Sequence, residues 1–128
     1  MSLTDRELLE LAARAAGLKI NQDFQAQRDA VMDPAKASLW IDDGSTAWNP
    51  LTDDGHALRL AVSLGLTLRL NQFEEWTQAF VGDCFSRGAT AVSEHIGRST
   101  LGQTIEQATR RAIVRAAAEM GKAMQEKH

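Results

Sequence analysis

The chain has 128 residues, of which 44% are hydrophobic and 24% charged, with a net charge of −3 and a pI near 5.6. That length holds one hydrophobic core, so 1–128 is a single domain, and the composition is that of a globular chain rather than a disordered one. The mild acidity gives no overall attraction to nucleic acid or to an anionic membrane, and the lone cysteine, Cys84, excludes an internal disulfide.

Thr4 and Glu7 form a capping-box pair, in which each side chain satisfies a backbone N–H at a helix start. Leu8, Leu11, Ala12 and Ala15 recur at helical spacing and Gly17 suits the left-handed C-cap, so a helix is expected over 5–16. Leu18 and Ile20 flank Lys19 in the alternation of a short strand. From 21 to 37 the pattern fades: Phe24 and Val31 are able to anchor a helical turn, but Pro34 interrupts any long element, and a loop or insertion is expected. A strand follows over Ser38–Asp42, with Leu39 and Ile41 on one face and Trp40 on the other, and Asp42-Asp43-Gly44-Ser45 has turn composition.

In Trp48-Asn49-Pro50-Leu51-Thr52-Asp53-Asp54-Gly55, the proline holds Asn49 extended and Thr52 or Asp53 caps the next helix. Its aspartates sit where the positive end of the helix dipole favours them. His56, Arg59 and Ser63 make a polar stripe, while Ala57, Leu58, Ala61, Val62 and Leu64 are the expected buried side, and Gly65 ends the helix. Leu66, Leu68 and Leu70 alternate with Thr67, Arg69 and Asn71 in a half-buried strand. Trp76–Val81 and Ala89–Glu94 are further strands, although 73–85 also fits a helix through Phe73, Trp76, Phe80 and Cys84. Thr104 and Gln107 repeat the capping box before a long final helix. Ile105, Ala108, Ala112, Ile113, Ala116, Met120 and Met124 form its apolar stripe. Gln107, Arg110, Arg111, Arg115, Glu119, Lys122 and Glu126 lie opposite. The fold class is therefore α+β: a layered sandwich of about three helices on one small, mainly antiparallel sheet.

No motif identifies a reaction. Asp42, Asp43, Asp53 and Asp54 are candidates for a hard-cation site if their loops meet, but their spacing is not that of a calcium loop, and a turn plus a helix N-terminus explains them. Cys84 with His95, near Asp83 or Glu94, lacks any recognised nucleophile signature, and a structural thiol is the simpler reading. Neither a metal nor a cofactor is assigned. Arg110, Arg111 and Arg115, with Lys122, give the last helix a basic side suited to phosphate, although Glu106, Glu119 and Glu126 interrupt it and no aromatics are interleaved. Tryptophans in strands and loops usually pack in the core. Of Trp40, Trp48 and Trp76, an exposed Trp48, with Asp53 and Asp54 beside it, is the candidate anchor for a partner protein.

Three blocks, TDRELLELAARAAG at 4–17, WNPLTDDGHALRLAVSL at 48–64 and ATRRAIVRAAAEMGKAM at 108–124, resemble a group of bacteriophage and prophage proteins described as carrying the phage ABA sandwich domain. The blocks span a little over a third of the chain. Residues 71–103 depart from the group's wording, and His56 stands where a further acidic residue is expected. The resemblance implies an α-β-α layered domain of viral or prophage origin and carries no catalytic residues.

The leading expectation is a non-enzymatic phage or prophage accessory protein, a small binding module acting on a phage or host protein. An accessory nucleic-acid-binding protein using the last helix is second, and an enzyme third. Thr4-Asp5-Arg6-Glu7 is too polar for a secretory leader and no apolar run reaches membrane-span length, so the cytoplasm is the expected compartment, that of a bacterial host as the resemblance implies; monomer and homodimer both fit.

Overall fold

The computed structural model describes residues 4–20, 22–30, 38–41, 46–71, 76–81, 90–95 and 104–126. In chain order these form α1 (Asp5–Ala16), α2 (Gln22–Asp29), β1 (Leu39–Ile41), β2 (Thr46–Trp48), α3 (Asp54–Leu64), β3 (Leu66–Asn71), β4 (Trp76–Val81), β5 (Thr90–His95) and α4 (Ile105–Glu126). The layered α+β architecture is the expected one, but among the described residues four helices and two antiparallel sheets build it, rather than about three helices and one sheet.

The helix ends follow local chemistry. Thr4 Oγ1 accepts the Glu7 N–H at 3.1 Å while Glu7 accepts the Thr4 N–H at 2.9 Å, and Gln107 repeats the exchange with Thr104 at 3.1 and 3.0 Å. Gly17 and Gly65 take left-handed conformations, with φ of 73° and 66°, and close α1 and α3.

α2 lies inside the stretch expected as a loop. Apolar spacing does not mark it, because a polar side chain holds it. The buried Gln25 accepts the Trp40 N–H at 2.8 Å and donates to the Ser38 carbonyl at 3.4 Å, tying α2 to the start of β1. The expected Leu18–Ile20 strand is reduced to one bridge, Ile20 to Ile41.

β1 and β2 pair antiparallel from Leu39–Trp48 to Ile41–Thr46, and the turn expected at 42–45 lies outside the described residues. β3, β4 and β5 form the second sheet in that order, with Leu66 opposite Val81 and Thr77 opposite Glu94. Residues 76–81 are thus a strand, not part of a helix over 73–85.

α4 is the centre of the molecule. It touches α1, α3 and all three strands of the second sheet. Ala112 and Ala116 pack against Ala79 of β4, whereas Ile113, Val114, Ala117 and Ala118 join Leu8, Leu9, Ala12 and Ala13 of α1 in the main core. The expectation of a single apolar stripe is corrected accordingly: Val114, Ala117, Ala118 and Gly121 are buried outside it, and Met124 within it is 45% exposed. A helix packed on two sides has no single inner face. The α1–α4 crossing is very close. A Cβ placed on Gly121 would overlap the Leu11 carbonyl oxygen and stand 2.8 Å from its carbon.

Candidate functional site

The segment joining β2 to α3 is a folded latch. Asn49 Oδ1 accepts the Leu51 N–H at 3.1 Å, and the Asn49 carbonyl accepts the N–H groups of Thr52 and Asp53 at 3.2 and 3.0 Å. Asp53 then caps α3 by accepting the His56 N–H at 2.8 Å. His56 returns the favour through its side chain, whose Nδ1 accepts the Asn49 N–H at 3.1 Å. Arg110 of α4 secures the latch from outside: its Nε donates to the Leu51 carbonyl at 2.8 Å, and its NH1 donates to Asp54 Oδ1 at 2.6 Å. The His56 N–H above all, then the His56 imidazole, the Gly55 N–H and the Arg59 charge, hold the Asp53 carboxyl below its ordinary pKa against the opposing effect of burial. The Thr4 hydrogen bonds do the same for Glu7.

These contacts decide several sequence candidates. Trp48 is 6% exposed and sits in the main core with Leu39 and Ile41, so it is no surface anchor. Asp53 and Asp54 remain at the surface, one as a helix cap and the other paired with Arg110. Arg111 pairs with Asp5 of α1 at 3.0 Å. A phosphate contact would thus require Arg110 to leave Leu51 and Asp54, and Arg111 to leave Asp5, while the half-buried Arg115 also has intramolecular interactions. Asp42, Asp43 and Cys84 lie outside the described residues, as do the side chains of Glu94 and His95. Among the described residues no group of three or more His, Cys, Asp or Glu is arranged to hold a metal ion, and no helix is long and apolar enough to cross a membrane.

The surface feature that emerges instead is a groove of about 290 Å³ between α3, β3 and the N-terminal half of α4. Ala57 and Leu58 form one wall, Leu68 and Leu70 the other, and Ile105, Thr109 and Ile113 come from α4. Asp54, Glu106 and Arg110 are the charged groups around it. Leu58 is 60% exposed and Leu70 59% exposed, and Val62, one turn along α3 from Leu58, is 72% exposed. This corrects the expected burial of Leu58 and Val62. α3 turns Ala57, Leu60 and Ala61 into the core, spaced three and four residues apart, which leaves 58 and 62 on the flank beside them. Sequence reasoning missed the groove because both leucine-bearing walls read as core. The one available signal was an α3 with more apolar residues than one core-facing stripe can use.

A second open cleft, of about 260 Å³, lies on the other side of α3, lined by Ala16 and Leu18, Ile41 and Trp48, and the polar stripe His56, Arg59 and Ser63. No family model, curated protein or solved structure matches the chain.

Proposed function

We propose that this protein is a small non-enzymatic binding module, a phage or prophage accessory protein of the bacterial cytoplasm, which docks a segment of a phage or host protein in the groove between α3, β3 and α4. The observation that carries the reading is the pair of facing leucines, Leu58 and Leu70, both more than half exposed across an apolar groove. Exposed apolar surface gathered into a groove is costly in water and is found where something covers it.

The occupant is an extended apolar segment bearing a basic residue. Among the described residues β3 is the end strand of its sheet, so its outer edge offers backbone groups to an added strand, the β-augmentation mode of peptide capture. Glu106 and Asp54 are exposed beside the groove, and the one cation among its described lining residues, Arg110, is already paired with Asp54. The local excess charge is therefore negative, which favours a lysine or arginine on the partner.

A photo-crosslinking residue placed at Leu58 in the full chain tests this directly. In phage-infected or lysogenic cells it should yield a discrete adduct, whose cross-linked peptide is apolar and carries Lys or Arg. The adduct should vanish in the Leu70→Asp background and not form from Glu10 on α1. Adducts indifferent to position, or adducts to nucleic acid, would refute the reading; the latter would favour the basic side of α4.

A further inference from the structure

We propose that the second cleft, between α1, α3 and the β1–β2 hairpin, is a binding site for a small organic carboxylate with a single-ring or branched apolar body. His56, Arg59 and Ser63 are spaced three, four and seven residues apart, so one face of α3 presents all three to the cleft. The facing surface is apolar and includes the Trp48 indole, Ile41 and Leu18.

The donors are set before any ligand arrives. His56 Nδ1 already accepts the Asn49 N–H at 3.1 Å, so the neutral ring carries its proton on Nε2 and offers that N–H as a donor. The Ser63 hydroxyl donates to the Leu60 carbonyl at 3.1 Å and contributes no free proton. Among the described residues Arg59 forms no hydrogen bond or ion pair; its guanidinium nitrogens lie over Gly55, 3.5 and 3.6 Å from where a Cβ would stand. Asp53 Oδ1, 3.2 Å from that same point, accepts the His56 N–H at 2.8 Å and acts on Arg59 through space.

One guanidinium and one imidazole N–H beside an indole-bearing wall complement a carboxylate attached to an apolar group. The volume, about 260 Å³, lies just below the usual range of ligand pockets, which begins near ~300 Å³, so one ring fits rather than two.

Phenylacetate and its neutral isostere phenylacetamide are the probes, titrated into the full chain and followed by ¹H–¹⁵N correlation spectra. Phenylacetate should shift the Trp48 indole and the His56, Arg59 and Ser63 amides along a saturable curve, with phenylacetamide weaker by about tenfold or more. Arg59→Met should weaken phenylacetate to a similar degree while its spectrum stays folded, and Arg14→Met on α1 should leave it unchanged. Equal affinity for acid and amide, unaltered affinity in Arg59→Met, or no saturable shift below about 20 mM would overturn the assignment.

Discussion

Replacing Gly121 by alanine sets two physical effects against each other, and the structure says which wins. Alanine is the better helix former, and in an open helix interior the change stabilises by about 0.5–1 kcal/mol. In α4, however, the added methyl meets the Leu11 backbone: it overlaps the carbonyl oxygen, with the carbonyl carbon 2.8 Å away and Cα 3.2 Å away. Backbone inside a helix cannot rotate aside as a side-chain tip can, so α1 and α4 must separate. A gap of only about 0.5–1 Å forfeits a quarter to a half of each dispersion contact, and the facing surfaces, Ala12, Ala13, Ala117 and Val114, hold many such contacts. Overpacking costs roughly 1–3 kcal/mol, and a methyl overlapping rigid backbone belongs in the upper part of that range, about 2–3 kcal/mol, which leaves a net loss of about 1–2.5 kcal/mol after the propensity gain. Urea unfolding followed by far-UV circular dichroism should show the midpoint falling, and the melting temperature should drop by roughly 3–8 °C. A midpoint equal to or above that of the parent chain would mean that the helices do not cross at this distance, and the account of α4 as the close-packed centre would fail.

Arg110→Met removes both the Leu51 and Asp54 bonds and should cost about 1–2 kcal/mol in the same unfolding assay. Asp54→Asn keeps the Leu51 contact and loses only a largely exposed ion pair, so it should cost under about 0.5 kcal/mol; equal losses would show that the latch is not held through Leu51. Thr77 of β4 is fully buried and its Oγ1 has no hydrogen-bond partner among the described residues, so Thr77→Val should stabilise the fold by about 1 kcal/mol, and a destabilised variant would reveal a partner for that hydroxyl. Glu7 and Asp53 both have lowered pKa values in the folded chain, from ordinary values of 4.5 and 3.8. Their contribution is complete above those ordinary values and disappears as pH falls through the lower folded ones. Unfolding measured as a function of pH should therefore slope less steeply in acid for the Glu7→Gln, Asp53→Asn double variant, where each amide still accepts its N–H; an unchanged slope would contradict the capping roles.

Features written in neighbouring residues were legible before the structure. Thr4 with Glu7, Thr104 with Gln107, and the glycines at 17 and 65 mark helix ends because caps are satisfied within a turn of the chain. The leucine alternation of β3 was equally local. What escaped depends on distant partners. α2 is anchored by Gln25 reaching Ser38 and Trp40, an arrangement with no apolar period to betray it. Whether Leu58 and Val62 face core or solvent depends on how α3 is rotated against α4, and neighbouring residues do not encode that rotation. The basic side of α4 looked like a phosphate-facing surface until its arginines were seen to pair with Asp54 and Asp5. For the second face of α4, the spacing of Ala117 and Gly121 was an overlooked hint, since small residues four apart let two helix backbones approach.

The pairing of α1 with α4 also bears on how the protein comes into being. Asp5 and Arg111, bonded across that junction, are 106 positions apart in the chain. A ribosome must therefore make nearly all of the described fold before the first helix meets the surface that shelters Leu8 and Leu9. Closing so long a loop is slow compared with forming a local turn, and the early leucines stay sticky meanwhile. Newly made chains should consequently lean on holding chaperones until synthesis passes residue 121, and fragments ending earlier should be captured by them or degraded.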